Sequence, residues 1–133
     1  MKQAFDKLRR NGLFFKLVDR IEDVYWRALV NYFSKSSGIV RINGRSSEEF
    51  QIVDGVKQNG VLSPFLFNFY INELIKTCVK NNIGACIGPH NVSVISYCDD
   101  ITLLSSSIFQ TNELLSMCGA YADKWRIEFS VDK

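Results

Sequence analysis

The sequence is poor in the residues that form most structural metal sites in proteins. Its 133 residues include one histidine, His90, and four cysteines, none of which lies in a Cys-x-x-Cys pair. This count and spacing argue against a structural zinc site, which needs four closely spaced Cys or His ligands. We therefore expect free thiols and a reducing intracellular compartment, without a distinction between nucleus and cytoplasm.

Long apolar runs and a large excess of either charge are also missing. No stretch approaches the roughly 20 apolar residues of a membrane helix, and no N-terminal signal peptide is apparent, so no membrane partner is expected. Lys and Arg total 16 against 14 Asp and Glu, which gives a formal net charge of +2. That balance neither supports nor excludes a nucleic-acid partner.

Apolar and aromatic residues, by contrast, are plentiful. Hydrophobic residues make up 47% of the chain and aromatic residues 13%, with ten Phe. This is enough apolar material for a core, and 133 residues fit one domain of ordinary size. We therefore interpret residues 1–133 as a single folded unit.

Hydrophobic periodicity and helix-start signals predict four helical regions. Residues 5–18 favour a short helix interrupted at Asn11-Gly12, and residues 21–32 carry a helical apolar stripe that includes Tyr25 and Tyr32. Ser63-Pro64 is typical of a helix start, with Ser63 as N-cap and Pro64 at the first position, and the helix should run to about residue 80. Apolar residues surround much of its first half, so that half should be deeply buried and the helix should be the central one of the core. Ser107 and Gln110 have the spacing of a capping box before a last helix, and an apolar stripe runs from Leu114 to Trp125 behind it.

Between these helices the sequence predicts strands. Residues 38–53 favour a β-hairpin with a long loop around Asn43-Gly44, and the segments 83–87, 92–97 and 101–104 favour short strands. Residues 127–131 alternate between apolar and polar side chains, which predicts a final strand. The order of helices, hairpin, helix, strand pair, helix and strand is that of an α+β fold.

Two adjacent carboxylates, Asp99 and Asp100, lie between the apolar runs 92–96 and 101–104. Side chains alternate between the faces of a strand, so neighbouring Asp residues converge on one cation only where the chain turns out of its sheet. A divalent cation would let both carboxylates ionise and serve as oxygen ligands. Taken alone, the dipeptide favours an Asp-rich β-turn, because Asp is a common turn residue.

A second motif precedes the Asp pair and leads to a family. Gly55-Val56-Lys57-Gln58-Asn59-Gly60-Val61-Leu62-Ser63-Pro64 is followed by Phe65-Leu66-Phe67-Asn68-Phe69-Tyr70-Ile71-Asn72 and later by Tyr97-Cys98-Asp99-Asp100. Together with Ala4-Phe5-Asp6 near the start and Trp125 and Lys133 near the end, this order resembles the palm domain of a reverse transcriptase. The pattern is closest to that of non-LTR retrotransposons, and nearly the whole chain takes part.

The resemblance implies an RNA-directed DNA polymerase. Such an enzyme transfers a nucleotide from a dNTP to a primer 3′ hydroxyl with two Mg²⁺ ions, so its partners are an RNA template, a DNA primer and dNTP. It also implies that Asp99 is the primary and Asp100 the secondary catalytic metal ligand. The implied fold is palm-like, with an antiparallel sheet packed against helices and without fingers or thumb.

Further roles follow from the same resemblance. Tyr97 would lie beside the primer end, and Phe5 would select deoxynucleotides by excluding a ribose 2′ hydroxyl, although simple core packing would also explain Phe5. The remaining matches are Gln58, Gly60 and Lys133 on the nucleotide, with Ser63 and Pro64 on the template and primer side. Gln58, Gly60, Ser63 and Pro64 could instead only cap a helix, and Lys133 could be a solvated terminal residue.

One element of the family pattern falls outside these residues. The family's first metal-binding Asp would lie immediately before Met1, and fingers and thumb are absent too. We therefore expect the isolated chain to be inactive as a polymerase. The alternatives are a non-catalytic domesticated fragment that acts as an interaction module, and a decayed reading frame without a stable fold.

Overall fold

The computed structural model of the protein describes residues 5–58 and 60–130. In this part of the chain, helices and short antiparallel strands alternate, which confirms the α+β class. The helices are α1 (Arg10–Leu17), α2 (Asp23–Ser34), α3 (Ser63–Lys80) and α4 (Ile108–Trp125). The strands are β1 (Ser37–Gly38), β2 (Arg41–Ile42), β3 (Arg45–Ser46), β4 (Phe50–Gln51), β5 (Cys86–Ile87), β6 (His90–Asn91), β7 (Val94–Tyr97) and β8 (Asp100–Leu103).

The core lies where α1, α3 and α4 pack together, and α3 is its central element. Tyr70, Ile71 and Leu74 of α3 are almost fully buried, as are Leu13 of α1 and Leu114 of α4. The predicted burial of α3 is thus confirmed for one broad face. It is wrong for Phe65, which is exposed, because no element covers the outer side of the first turn within the described residues.

The predicted interruption at Asn11-Gly12 is wrong, since both residues lie in the first turns of α1. Gly12 allows α1 to pack closely against α3 and α4. A Cβ at this position would lie 3.0 Å from Tyr70 Oη and 3.2 Å from Trp125 Cε3, so a larger residue would push α1 away from α3 and α4. The local turn signal is outweighed by tertiary contact.

The predicted second helix is confirmed as α2, but its buried side differs from the predicted stripe. Leu29 of the predicted stripe packs partly against the core, but Tyr25 and Tyr32 of that stripe are exposed. Phe33, which is buried, and Trp26, which packs partly against the core, lie outside the predicted stripe. Residues 26, 29 and 33 follow helical spacing on a neighbouring face. Aromatic side chains on both faces made the two choices indistinguishable from the sequence.

The predicted hairpin at residues 38–53 is present as two nested ladders. β1 pairs with β4, and β2 pairs with β3 around a two-residue turn in which Asn43 and Gly44 have φ values of 49° and 77°. The predicted long loop is therefore wrong, because Asn-Gly accepts the left-handed conformations of a tight hairpin turn. The other ladders are β5 with β6 and β7 with β8.

The predicted sheet is only partly present. Over residues 5–58 and 60–130 the strands form four separate two-stranded ladders rather than one sheet. Residues 127–130 are not in a strand, because an alternating segment needs a neighbouring strand to pair with. Residue 131, the end of that predicted strand, lies outside the described residues.

The predicted start of the last helix is confirmed. Ser107 Oγ accepts a hydrogen bond from the backbone N–H of Gln110 at 3.3 Å, which satisfies one free donor of the first turn of α4. The four cysteines are free thiols, as predicted. In the described ranges, no helix combines the length and the apolar character needed to cross a membrane.

Candidate metal and nucleotide site

The two carboxylates lie at the tip of the β7–β8 hairpin. Tyr97 pairs with Asp100, so Cys98 and Asp99 form a two-residue turn between the strands. Cys98 has a φ of 49°, in the left-handed region that tight hairpin turns require. Asp99 is half-buried and Asp100 is exposed. The turn therefore brings consecutive carboxylates to one end of the hairpin, as the sequence predicts.

The hairpin is held in place by its apolar face. Val94 of β7 and Ile101 and Leu103 of β8 pack against the core, and Ser93 at the base of the hairpin is fully buried. Tyr97 at the tip is 83% exposed. A rigid base with an accessible tip is the arrangement that a metal and primer site needs, because its ligands must be fixed while the substrate enters.

A groove of about 390 Å³ runs between α3 and the tip of the hairpin. Tyr97 and Cys98 line it on the strand side, and Asn68, Phe69 and Asn72 line it on the helix side. These three residues belong to the motif that follows Pro64 in the sequence. The fold thus places the two most distinctive motifs of the sequence side by side.

The predicted nucleotide residues form a second group around the segment before α3. Gln58 Nε2 donates to both carboxylate oxygens of Asp6, at 2.9 and 2.7 Å. The backbone N–H of Val56 donates to the carbonyl of Phe5 at 2.7 Å. The side chains of Asp6 and Gln58, which are 52 positions apart in the sequence, are therefore hydrogen-bonded to each other. Phe5 and Gln58 consequently lie on neighbouring segments.

Gly55 lets these two segments approach each other. Its φ is +83°, and a Cβ at this position would lie 2.5 Å from the backbone oxygen of Asp6. Its own N–H donates to the carbonyl of Leu8 at 2.7 Å. Glycine is required here for both its conformation and its lack of a side chain.

The Phe5 ring is half-buried and packs on Phe67 of α3, with the ring centroids 5.0 Å apart. This contact fits the alternative of core packing for one face of the ring. The exposed remainder leaves room for the predicted contact with a sugar. The role of Phe5 in nucleotide selection stays a prediction.

Gly60, Ser63 and Pro64 form the tight entry to α3. Gly60 N–H donates to the carbonyl of Lys57 at 3.0 Å, and Ser63 N–H donates to the carbonyl of Gly60 at 3.1 Å. The predicted N-cap role of Ser63 is wrong, because Ser63 is the first helical residue and its hydroxyl donates to the carbonyl of Lys57. Pro64 is therefore the second helical residue and not the first, although it still lies in the first turn.

Arg10 is a buried charged residue that the sequence interpretation missed. Only 7% exposed, it donates from Nε to the carbonyl of Gly55 at 2.7 Å and from Nη1 to that of Phe33 at 2.9 Å, and it also donates to the carbonyl of Ile52. Burial lowers its pKa, and the nearby Asp54 carboxylate partly opposes this. The available signal was its helical spacing to Leu13 and Leu17, which places Arg10 on the core face.

Arg10 also lines an open cleft of about 720 Å³ beside the nucleotide group. Asp6, Gln58, Tyr32 and Lys35 also line it. The cleft combines basic, acidic and amide groups around a fixed guanidinium. It is large enough for a small polar ligand.

The donor set of the hairpin fits a hard cation in part. Carboxylate oxygens are the ligands that Mg²⁺ prefers, and one or two of them leave positions for phosphate and water. Within residues 5–58 and 60–130 no group of three or more His, Cys, Asp or Glu side chains is placed to hold a metal. Lys133, the predicted triphosphate contact, lies outside the described residues.

Comparison with known proteins identifies one family over the whole chain. The family described as reverse transcriptase (RNA-dependent DNA polymerase) matches residues 1–133. The chain is 29% identical over 131 residues to the retrovirus-related Pol polyprotein from type-2 retrotransposable element R2DM of Drosophila melanogaster, which covers 97% of this chain and 11% of that protein.

Two further relatives belong to the same class of elements. The chain is 36% identical over 111 residues to the retrovirus-related Pol polyprotein from type-1 retrotransposable element R2 of Popillia japonica, covering 80% of this chain and 16% of that protein. It is 27% identical over 139 residues to the probable RNA-directed DNA polymerase from transposon BS of Drosophila melanogaster, covering 100% of this chain and 15% of that protein. The chain thus spans less than a fifth of the length of each of these relatives.

Proposed function

We propose, since this chain belongs to the reverse transcriptase (RNA-dependent DNA polymerase) family of non-LTR retrotransposons, that it supplies the metal-binding hairpin and part of the nucleotide site of an RNA-directed DNA polymerase. The reaction is transfer of a nucleotide from dNTP to the 3′ hydroxyl of a DNA primer on an RNA template. The observation that carries this proposal is the β7–β8 turn, which presents Asp99 and Asp100 at an accessible tip.

In this proposal Asp99 and Asp100 are the ligands that the chain contributes to two Mg²⁺ ions. When bound, the ions stabilise the negative charge that develops on the attacking and leaving oxygens. The hairpin turn supplies the fixed geometry, because its apolar base is packed against the core. Tyr97, exposed at the same tip, would contact the primer end.

The nucleotide would lie on the side of the Asp6–Gln58 pair. The double hydrogen bond holds the Gln58 amide in one orientation, so the residue can present a fixed surface to the base or sugar. Phe5 would lie beneath the sugar, and Gly60 would keep the entry to α3 free of a side chain. Lys133 would neutralise the triphosphate, and Ser63 and Pro64 would face the template and primer.

We further propose that the 133 residues by themselves do not synthesise DNA. They span between 11% and 16% of the relatives described above, and clamping of a template–primer duplex needs extensive contact with its backbone. The remaining contacts, and a further carboxylate for the metal site, would come from the rest of a polymerase.

Primer extension tests both statements. The chain would replace the matching segment of the Drosophila R2DM protein, whose preceding sequence is expected to supply the family's additional Asp. We expect Mg²⁺-dependent synthesis on an RNA template by this chimaera, a loss of at least about a hundredfold in the Asp99→Asn/Asp100→Asn variant, and no product from the isolated chain.

A variant with the same charge change gives the control. Glu48→Gln/Glu49→Gln alters two consecutive exposed carboxylates in the loop between β3 and β4, and should leave synthesis near the level of the unmodified chimaera. Undiminished synthesis by Asp99→Asn/Asp100→Asn would contradict the proposed metal ligands. Robust synthesis by the isolated chain would contradict the proposed inactivity.

A further inference from the structure

A second cleft, of about 820 Å³, lies where α1, α3 and the end of α4 meet. We call it the basic cleft. It shares Phe69 and Asn72 with the groove beside the hairpin tip, so the two depressions adjoin. Its basic lining residues are Lys16, Arg20, Lys76, Lys80 and Lys124.

Positive charge is concentrated in the basic cleft. Arg20, Lys76, Lys80 and Lys124 are all exposed there. Lys76 and Lys80 lie one helical turn apart on α3, so their ammonium groups can follow one line along the cleft. The lining holds five basic residues against two carboxylates, a formal charge of +3, which is more than the +2 of the whole chain.

The acidic residues in the lining do not balance this charge. Glu73 is already paired with Lys16, which leaves Asp19 as the other carboxylate among the described lining residues. Lys16 and Lys124 lie over the same Trp125 ring, with their Nζ atoms 3.8 and 5.2 Å from its centroid. Burial lowers the pKa of Lys16 below its ordinary value; the paired Glu73 carboxylate opposes this shift, and repulsion from Lys124 adds a smaller contribution to it. A bound anion would relieve that repulsion.

Aromatic side chains accompany the charges. Phe15, on α1, is 72% exposed at the edge of the basic cleft, and Phe69 is half-buried within it. Proteins that bind single-stranded nucleic acid combine Lys and Arg side chains with exposed aromatic rings. The cations contact the phosphates, and the bases stack on the rings. An acidic protein segment would use the charges but would gain little from the rings.

We propose that the basic cleft binds the phosphodiester backbone of single-stranded nucleic acid, as a contact additional to the carboxylate hairpin. The interaction needs neither metal nor dNTP, so it does not depend on the polymerase proposal. A strand held there would lie next to the groove that leads to Tyr97.

Fluorescence anisotropy with a labelled 12-nucleotide single-stranded DNA in EDTA tests the proposal. The test variant is Lys76→Glu/Lys80→Glu in the 133-residue chain. The control is Arg41→Glu/Arg45→Glu, which makes the same charge change on the exposed β2–β3 hairpin. Circular dichroism melting of each variant verifies that these surface changes leave the fold intact.

We expect the Lys76→Glu/Lys80→Glu variant to bind at least about tenfold more weakly at 0.1 M salt, and the control to bind within about threefold of the unmodified chain. The plot of log K against log salt concentration has a negative slope. It should become shallower by about 0.7 for each lost phosphate contact, hence by about 1.4 for the Lys76→Glu/Lys80→Glu variant. Equal weakening by both variants would show that binding follows net charge alone and would overturn the proposal.

A polyglutamate peptide of equal charge distinguishes nucleic acid from an acidic protein partner. Weaker binding of the peptide than of the DNA supports the proposal. Equal or tighter binding of the peptide, with the same sensitivity to Lys76→Glu/Lys80→Glu, would overturn it in favour of an acidic protein segment. Absence of measurable DNA binding by the unmodified chain at low salt would also overturn it, whereas failure of primer extension would leave it intact.

Discussion

Arg10 holds together the backbone segments beside the predicted nucleotide residues. Its guanidinium joins three carbonyl groups, those of Phe33, Ile52 and Gly55, which come from the end of α2 and from the segment before α3. The planar group can serve several acceptors at once, which a lysine ammonium does less well. It thereby holds the segment that carries Gln58 against α1.

Removal of this guanidinium should destabilise the protein. In Arg10→Met the apolar stem is preserved but the carbonyls lose their buried donor, so we expect the free energy of unfolding to fall by about 2–4 kcal/mol in urea titrations. Arg9→Met is the control, since Arg9 is less buried, and should cost less than about 1 kcal/mol. Equal losses in the two variants would contradict the role of Arg10.

Tyr70 of α3 is almost fully buried, and its polar groups are hydrogen-bonded within the core. Its hydroxyl donates to the carbonyl of Trp125 at 2.8 Å, and its own carbonyl accepts from the hydroxyl of Tyr121. Lys16 Nζ donates to Tyr121 Oη at 2.9 Å. These bonds join α1, α3 and α4, because each helix contributes at least one donor or acceptor.

This burial predicts a dependence of stability on alkaline pH. Desolvation is the main reason that the pKa of Tyr70 is raised from 10 to about 12. The neutral phenol is favoured in the fold, so its contribution is complete below pH 10 and is lost as the pH rises from 10 towards 12. In Tyr70→Phe this loss cannot occur. Unfolding free energies measured between pH 9 and pH 11 should therefore fall more steeply for the unmodified chain, and parallel curves would contradict the prediction.

At the scale of elements, the β7–β8 turn is the most constrained piece of the candidate site. Cys98 takes a positive φ of 49° although it is not glycine. Cys98→Gly relieves that strain, and we expect a free energy of unfolding within about 1 kcal/mol of the unmodified chain. Cys98→Val should cost about 1–2 kcal/mol, since a β-branched residue fits this region poorly. Thermal melts of both variants measure their order of stability. Destabilisation by Cys98→Gly without destabilisation by Cys98→Val would contradict the prediction.

The elements that the sequence predicted correctly are those with strong local signals. The Ser107 cap with the stripe behind it predicted α4, and the apolar runs around the Asp pair predicted β7 and β8. The wrong predictions concern residues whose conformation depends on contacts with residues elsewhere in the sequence. Gly12 resembles a turn residue until Tyr70 and Trp125 pack against it, and the hydroxyl of Ser63 donates to Lys57 instead of capping α3.

At the scale of the whole molecule, motif order identified the family, but the sequence alone could not give the contacts within the site. Asp6 and Gln58 are 52 residues apart, and only the fold shows their double hydrogen bond. Arg10 was hidden for the same reason, because a single basic residue on an apolar helix face has no distinctive motif. The hairpin carboxylates were predictable, since their turn is local.

The basic cleft likewise emerges only from the assembled fold. Its charged residues come from α1, α3, α4 and the segment after α1, and each group is unremarkable in its own stretch of sequence. The net charge of +2 gave no indication of it. Charge distribution over the folded surface, and not composition, is therefore the basis for the inference of a second nucleic-acid contact.

The most direct test of the proposed metal hairpin is Mn²⁺ titration of the isotope-labelled chain, followed by paramagnetic broadening of backbone amide signals. Mn²⁺ prefers oxygen ligands as Mg²⁺ does. We expect broadening centred on residues 97–100, its loss in Asp99→Asn/Asp100→Asn, and its retention in Glu48→Gln/Glu49→Gln. Broadening centred elsewhere, or unchanged by Asp99→Asn/Asp100→Asn, would contradict the assignment of these two carboxylates as metal ligands.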